Sequence, residues 1–343
     1  MVKQVKLSVI MPIYKTDHDF LRAAIESILA QTYNGFEFLI LNDSPENTEL
    51  DAIVAEYKDD RISYFKSQQN RGISGAYNDL ISHAKGEYIA IMNHDDIALP
   101  KRLEKQVEFL ESHPDVGLVG TGCKKFGSFW RFYRFDSVIM PKADKEILAM
   151  LGFKSPIIHP TIMVRKSILD QHGIKYHEKY ISLNDRLFYL DISRYAKLAN
   201  IDQVLYKYRF HEKMTSRVKK SEIEAEQRVF KIQWLASNNI TLTDDELLVY
   251  FGYLTRGRAR IRDKKTLKTI QSILEKLDAA NQERGFLDKP IFHSICGKYL
   301  TKRCMNAALW GHISAKDIVA TTTLPIRKTW LFKINQALLG WKK

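Results

Sequence analysis

The sequence predicts an α/β protein with a mostly parallel sheet flanked by helices and a helical C-terminal extension. Strand-like and helix-like segments alternate over about the first 120 residues, a pattern typical of a parallel sheet covered on both faces. From about residue 216 the pattern is helical, without a clear strand. With 343 residues, 45% of them hydrophobic, the chain is long enough for one large core and an accessory piece.

The N-terminal part contains five apolar runs that predict strands. They cover residues 6–14, 36–41, 62–66, 87–92 and 116–119. Between them, apolar residues at helical spacing predict helices over 20–30, 45–57, 75–84 and 100–112. Ser44 followed by Pro45 is a typical helix start, and Pro100 opens the last of these helices.

The second part of the chain is harder to interpret. Residues 123–160 are rich in aromatic side chains and predict irregular structure. A strand over 161–164, a helix over 185–196 and a strand over 204–210 follow. We therefore expect one domain over residues 1–215 and a basic helical region over 216–343.

The net charge of +13 is concentrated near the C-terminus, where residues 289–343 carry ten Lys or Arg and one acid. An anionic partner such as membrane lipid, nucleic acid or a phosphorylated substrate would explain this charge, and so would a solvated face. Residues 323–343 mix tryptophan and leucine with cations. This composition suits either the membrane interface or a helix packed on the protein.

Cysteine usage and hydropathy indicate the compartment. Three widely spaced cysteines argue against a disulfide framework or a zinc site. There is no apolar run of membrane-spanning length and no signal-peptide pattern. We expect a cytoplasmic protein.

The sharpest chemical feature is the carboxylate pair Asp95-Asp96, directly after the predicted strand 87–92. Tyr14 is the last residue of the first predicted strand, and Asp43 lies just after the second. Because ligands of such sheets bind beyond the carboxyl ends of the strands, these groups should converge on a ligand. Hard oxygen ligands suit Mg²⁺ or Mn²⁺ held beside substrate phosphates. The alternative for the pair is a helix N-cap.

A glycine-containing segment, Asn70-Arg71-Gly72-Ile73-Ser74-Gly75, precedes one predicted helix. Glycine lets the backbone approach a ligand closely, and the amides of a following helix bind phosphate. An ordinary glycine turn is the alternative. The dinucleotide-binding pattern G-x-G-x-x-G is absent after the first strand.

Together these segments resemble glycosyltransferase family 2, which has the Rossmann-like GT-A fold. The matching pieces are VIMPIY (9–14), SILAQTY (27–33), 36–43, NRG (70–72) with Asn78, AKGEYI (84–89), Asp95-Asp96, HPT (159–161), Asp185 and LYKYRFH (205–211). No single piece is specific, but the ordered set over about residues 5–215 is. The resemblance implies an inverting transferase that uses a UDP-sugar. Its GT-A catalytic domain would be 1–215, with a nucleotide-binding half of about 1–120 and an acceptor half of about 121–215.

The resemblance also implies roles for individual residues on the donor side. Tyr14 would stack on the uracil, beside Pro12, and Asp43 would accept the N–H of its ring. Asp95 would bind the ribose, while Arg71 and Asn78 would lie near the nucleotide. Asp96 would ligate Mn²⁺ or Mg²⁺ that bridges the diphosphate, and His211 would approach the metal.

On the acceptor side, Asp185 aligns with the general base of the family, and His159 would line the acceptor site. A helix cap for Asp185 and a structural role for each histidine are the alternatives. The sequence departs from the family pattern at Lys15, where asparagine is usual, and at Asn93 and Asn184, where acids are common.

The layout is similar to bacterial transferases that extend lipopolysaccharide or capsule, among them β-1,3-N-acetylglucosaminyltransferases. This similarity implies a hexose or N-acetylhexosamine donor, a saccharide or glycolipid acceptor, and a peripheral position on the anionic inner face of the cell membrane. Two other functions stay open. A basic nucleic-acid-binding protein would not explain the carboxylates at the strand ends, so we expect no nucleic acid. A sugar nucleotidyltransferase should carry a glycine-rich basic loop after the first strand, which residues 12–20 lack.

Overall fold

The computed structural model describes residues 5–127, 137–138, 140–211, 219–255, 261, 263–285 and 287–294. The chain forms two compact units. The first comprises Met1–Ile147 and Pro156–Gln227, and the second comprises Leu148–Ser155 and Arg228–Lys343. All the residues predicted for the site lie in the first unit.

A mixed sheet is the centre of the first unit. Its strands are β1 (Leu7–Ile13), β2 (Phe36–Asn42), β3 (Ile62–Lys66), β4 (Tyr88–Ile91), β5 (Ile97–Ala98), β6 (Val116–Phe126), β7 (Ser137–Val138), β8 (Met163–Arg165) and β9 (Lys197–Arg209). Their order is β3-β2-β1-β4-β8-β6-β9-β5, and β7 pairs with β6. The first four strands of this order are parallel, with Leu7 of β1 in register with Phe36 and Tyr88.

Strand directions are mixed in the remaining half of the sheet, beyond β4. β8 is antiparallel to both β4 and β6, while β9 is parallel to β6. β5 adds to the edge, antiparallel to β9. The α/β class predicted from the sequence is confirmed. Because Ala98 of β5 pairs with Tyr206, the C-terminal part of β9 lies close to the segment that follows β4.

Helices cover this sheet and form the C-terminal region. They are α1 (His18–Leu29), α2 (Thr48–Ala55), α3 (Gly72–His83), α4 (Arg102–Ser112), α5 (Asp144–Leu151), α6 (Lys166–His172), α7 (Asn184–Ser193), α8 (Lys220–Ser237), α9 (Asp244–Val249) and α10 (Lys264–Arg284). A 3₁₀ turn covers His159–Thr161, and a π-helical turn covers Tyr250–Thr255.

Two helix starts differ from the sequence prediction. α2 begins after Asn47, whose side chain accepts a hydrogen bond from the Glu49 amide (3.1 Å), so Ser44 and Pro45 lie in the preceding turn. α3 begins at Gly72, three residues early, where a φ of +68° suits glycine.

The main hydrophobic cluster of the first unit lies on one face of its parallel strands. Val9, Phe38 and Met11 have no exposed surface, and Ile25 and Leu103 pack against them from α1 and α4. This burial fixes the strands, and with them the edge at which the polar segments emerge.

The regular elements described in the second unit are helices, in agreement with the predicted helical C-terminal extension. In α10 the apolar side chains at helical spacing, Leu267, Ile270, Leu274 and Leu277, are fully buried. Within the described part of the chain, no helix combines the length and the hydropathy needed to span a membrane. The basic segment 323–343 lies outside the described residues.

Candidate active site

The carboxyl ends of β1, β2 and β4 meet at one edge of the sheet, as the parallel register requires. The Asp43 amide donates to the Ile13 carbonyl (2.9 Å), and the Met92 amide donates to the Ile10 carbonyl (3.0 Å). Tyr14, Asp43 and the turn over residues 93–96 therefore emerge at the same edge.

Asp43 directly follows β2 at this end of the sheet and is buried, with 3% of its surface exposed. Its Oδ1 accepts a hydrogen bond from the Arg71 amide (2.8 Å). Burial raises the pKa of Asp43, and the Arg71 amide opposes that rise. A buried carboxylate beside an open strand end is suited to accept an N–H group from a ligand.

The Tyr14 side chain, in contrast, is 42% exposed. Lys15 follows it with a φ of +43°, and its Nζ lies 5.1 Å from the centre of the Tyr14 ring. Pro12 is buried within β1 opposite Leu41. Tyr14 is thus available for stacking, whereas Pro12 shapes the strand that presents it.

The side chains of Arg71 and Asn78 bind protein groups. The Arg71 guanidinium lies 3.1 Å from the Asp79 carboxylate and 3.5 Å from Glu178. Asn78 donates to the Tyr176 carbonyl (2.9 Å) and accepts from the Tyr176 amide (2.8 Å). These two residues, predicted to lie near the nucleotide, join α3 to the segment that precedes α7.

Asp96 has both carboxylate oxygens engaged and is 1% exposed. Its Oδ1 accepts from the Arg209 amide (2.7 Å), and its Oδ2 accepts from the Tyr206 hydroxyl (3.0 Å) and the Asn93 amide group (3.1 Å). Burial, and then the neighbouring Asp95, raise the pKa of Asp96 well above its usual range.

Asp95 is paired with His211, at 2.9 Å between Oδ2 and Nε2, and both side chains are 19% exposed. Burial opposes ionisation of Asp95, but the hydrogen bond with His211 and the nearby His94 lower its pKa. The Asp95 carbonyl also accepts from the Arg209 guanidinium (2.6 Å). An ionised carboxylate beside a histidine at a partly open position is chemically suited to a divalent cation.

A metal at this position would have few protein ligands. No cluster of three or more histidine, cysteine or acidic side chains suited to a metal occurs in the described ranges. One carboxylate and one imidazole, completed by substrate phosphates and water, match the way in which Mg²⁺ is usually bound. The residues present therefore fit a metal that arrives with the donor.

Neither Asp95 nor Asp96 caps a helix. Lys101 occupies the N-cap position of α4 and makes no side-chain capping bond. The helix-cap alternative for this pair is thus excluded.

Sequence reasoning missed Tyr206 and Arg209 as parts of the site. The Arg209 guanidinium lies between the rings of Phe20 (4.1 Å) and Phe126 (4.4 Å), which holds it against Asp95. The run 205–211 contains the signal, because aromatic and basic residues alternate along the predicted strand 204–210. Their partners became evident only from the pairing of β9 with β5 and β6.

A group of aromatic side chains joins the acidic pair to the start of α7. The Tyr77 hydroxyl donates to Asn93 Oδ1 (3.3 Å), and its ring centre lies 5.1 Å from Tyr176 and 5.6 Å from His159. His159 Nδ1 lies 3.0 Å from the Tyr189 hydroxyl. Burial lowers the pKa of His159 to about 4, so this imidazole is neutral near pH 7.

Asp185 is the second residue of α7 and lies beside these tyrosines. Leu183 occupies the N-cap position, so Asp185 is not the capping residue. Its Oδ1 accepts from the Arg186 amide (2.6 Å), and burial raises its pKa from 3.8 to about 6. A carboxylate with a pKa close to the working pH is suited to general base catalysis.

Asn184 holds this helix start in place. It donates to Ser74 Oγ of α3 (2.7 Å) and accepts from the Asp185 amide (2.8 Å). The structure thus brings Asp43, Asp95, Asp96, His211, His159 and Asp185 into one connected region of the first unit.

Known proteins are similar in sequence to this chain. The profile described as Glycosyl transferase family 2 matches residues 8–173. An uncharacterized glycosyltransferase of Methanocaldococcus jannaschii is 35% identical over 63% of this chain and 76% of its own length. The O-antigen biosynthesis glycosyltransferase WbnJ of Escherichia coli is 31% identical over 62% of this chain and 82% of its own length.

Solved structures share the fold. S. aureus TarS 1–349 in complex with UDP-GlcNAc has a TM-score of 0.57 at 17% identity, over 90% of this chain and 93% of that one. The mannosyltransferase PcManGT from Pyrobaculum calidifontis, in complex with GDP-Man and Mn²⁺, has a TM-score of 0.52 at 16% identity, over 90% and 88% of the two chains. The GT-A fold expected from the sequence is confirmed.

Relatives that align over most of their own length are named glycosyltransferases, and the family profile covers the nucleotide-side motifs. The two other functions that the sequence left open, nucleotidyl transfer and nucleic-acid binding, are therefore set aside. The chain is an enzyme, a glycosyltransferase, and it belongs to glycosyltransferase family 2.

Proposed function

We propose that this enzyme transfers a hexose or an N-acetylhexosamine from a UDP-sugar to a saccharide acceptor, with inversion and with Asp185 as the general base. The observation that carries this proposal is the position of Asp185. It is a partly buried carboxylate at the start of α7, with a pKa of about 6, connected through aromatic side chains to the acidic pair.

The chemistry follows from that position. The acceptor hydroxyl loses its proton to Asp185 while its oxygen attacks C1 of the sugar, and the C1–O bond to the diphosphate breaks on the opposite face. The leaving group departs as UDP. A neutral His159 beside Tyr176 and Tyr189 lines the acceptor side and adds no charge to compete with the base.

Recognition of uridine rests on Asp43 and Tyr14. Asp43 offers a buried acceptor for the uracil N–H, and Tyr14 offers an exposed ring for stacking. The backbone N–H groups of Arg71 and Gly72 donate to the Asp43 carboxylate, so the start of α3 supports the uracil-binding site. A UDP-sugar in TarS and a GDP-sugar in PcManGT occupy related folds, so the choice of base needs its own test.

We assign the metal to Asp95 and His211 in preference to Asp96. The oxygens of Asp96 already accept three hydrogen bonds, whereas Asp95 and His211 face each other at the partly open side. When bound, Mn²⁺ or Mg²⁺ neutralises charge that develops on the diphosphate. In this proposal Asp96 orients the end of β9 through Tyr206 and the Arg209 amide. Asp95 has the metal-binding role that the family resemblance implies for Asp96.

The acceptor belongs, in this proposal, to a surface glycan such as lipopolysaccharide, O-antigen or capsule. The relative named for O-antigen biosynthesis supports that choice. A lipid-linked acceptor would place the enzyme on the inner face of the cell membrane, where the basic segment 323–343 would contact anionic lipid.

A panel of UDP-, GDP- and ADP-sugars tests the proposal. UDP release with water as the acceptor should occur for at least one UDP-hexose or UDP-N-acetylhexosamine and should need Mn²⁺ or Mg²⁺. An enzyme that hydrolyses only GDP- or ADP-sugars would contradict the donor assignment.

A further inference from the structure

The segment between α6 and α7 carries the proposed base into position. It covers residues 173–183 without a regular helix or strand, and Asp185 follows at the second position of α7. Leu183 at the N-cap position makes no side-chain capping bond. The entry of the chain into α7 must therefore be fixed by contacts from other elements.

One such contact comes from Glu226 in α8. Its Oε1 accepts from the Ile181 amide (2.8 Å), and its Oε2 accepts from the Ser182 amide (2.8 Å) and the Ser182 hydroxyl (3.0 Å). Two successive backbone N–H groups thus point at one carboxylate. Hydrogen bonds to an ionised acceptor are stronger and shorter than neutral ones, so this is a firm attachment.

The same segment is attached at its other end to α3. Asn78 bonds both the amide and the carbonyl of Tyr176, and the Glu178 carboxylate lies 3.5 Å from Arg71. The chain from Tyr176 to Ser182 is therefore held by α3 and by Glu226, and His177 also lies 2.9 Å from the Asp191 carboxylate of α7. Among these contacts, Glu226 bonds the residues nearest to Asp185, ending three residues before it.

We propose that Glu226 is a positioning residue that fixes the segment leading into α7 and so places the Asp185 carboxylate against the acceptor. The inference rests on the proposed role of Asp185. It also extends the functional catalytic unit beyond residue 215, because the first turns of α8 are needed to hold the base.

Hydrogen exchange of the free protein tests the contact without any substrate. In Glu226→Gln an amide nitrogen, which cannot accept, replaces one carboxylate oxygen. Peptides that contain Ile181 and Ser182 should then exchange at least about tenfold faster, as expected for an opened local contact. Glu222→Gln, the same change on an exposed residue of the same helix, is the matched control and should not alter exchange. Unchanged exchange in Glu226→Gln would overturn the proposal.

Kinetics test the consequence. Misplacing a catalytic group by about 1 Å costs up to about 10²-fold in rate, so kcat of Glu226→Gln should fall at least about tenfold while UDP affinity stays unchanged. Glu226→Asp should recover part of the loss. In the Asp185→Asn background, Glu226→Gln should cause no further fall, because a residue that acts through Asp185 has nothing left to position.

Two kinetic results would contradict the inference: a normal kcat for Glu226→Gln, or losses that multiply in the double variant. Melting temperatures identify a variant that fails to fold, and Ser182→Ala, which removes only the hydroxyl bond, then replaces it with the same expected direction. A normal kcat for Asp185→Asn would instead defeat the proposed base, while the exchange result still decides the contact.

Discussion

Replacing Asp185 by asparagine should separate catalysis from stability. The variant keeps the shape of the side chain and the hydrogen bond from the Arg186 amide, but it cannot take a proton. Loss of a general base typically lowers kcat by about 10²- to 10⁴-fold. UDP binding should change little, because this carboxylate lies on the acceptor side.

The raised pKa of Asp185 implies a stability effect of opposite sign. Burial moves the pKa from 3.8 to about 6 in the folded protein. At about 1.4 kcal/mol per pKa unit, ionisation of Asp185 costs the folded state about 3 kcal/mol. The contribution of protonated Asp185 to folding stability is fully present below the unfolded-state pKa of 3.8. It is lost as the pH rises through the folded-state pKa of about 6.

Asparagine is neutral at every pH, so Asp185→Asn should be more stable than the parent by up to about 3 kcal/mol at about pH 7.5 and should lose this advantage at about pH 3.5. Denaturant unfolding at both pH values, beside UDP-release kinetics and UDP titration calorimetry, measures the two effects. A variant with near-normal kcat, or with no stability gain at the higher pH, would refute the reasoning.

Further variants test the remaining assignments. Asp95→Asn and His211→Ala should each weaken Mn²⁺-dependent UDP binding at least about tenfold by calorimetry, and equal UDP affinity of the parent in Mn²⁺ and in EDTA would remove the metal from the account. Asp96→Ala should chiefly lower the melting temperature, because it leaves three internal hydrogen-bond donors without their acceptor. Asp43→Ala should abolish the preference for UDP over ADP and GDP; normal discrimination by this variant would show that another group reads the base. Deleting residues 323–343 should abolish sedimentation with anionic liposomes and spare transfer to a soluble acceptor. If the intact protein does not bind liposomes at low salt, the segment has no membrane-binding role.

Several parts of the fold were predictable because local sequence determines them. The apolar runs that became β1, β2 and β4 can be buried only as central strands, and their shared direction places Tyr14, Asp43 and Asp95 at one edge. The two-residue strands β5 and β7 are too short to give any pattern. Helix α5 falls in a stretch read as irregular, and its start is tied to β9 through the bond from the Leu198 amide to Asp144 (2.9 Å).

The site was predictable in its residue types but not in its pairings. Nothing near Asp96 in the sequence reveals that Tyr206 and the Arg209 amide, more than a hundred residues later, occupy its oxygens. Arg102 gives a similar lesson. It lies in the predicted helix 100–112, yet it is fully buried, donates to the Ile91 carbonyl (2.7 Å) and lies 5.0 Å from the centre of the Tyr206 ring. Long-range partners of this kind depend on strand order, which local patterns do not encode.

The central claim is inverting transfer from a UDP-sugar, and the anomeric configuration of the product tests it most directly. With an α-linked UDP-sugar chosen from the hydrolysis panel and an oligosaccharide acceptor, NMR of the new glycosidic bond should show a β-linkage. Direct displacement at C1 with Asp185 as the base allows no other outcome. An α-linked product would contradict the proposed mechanism.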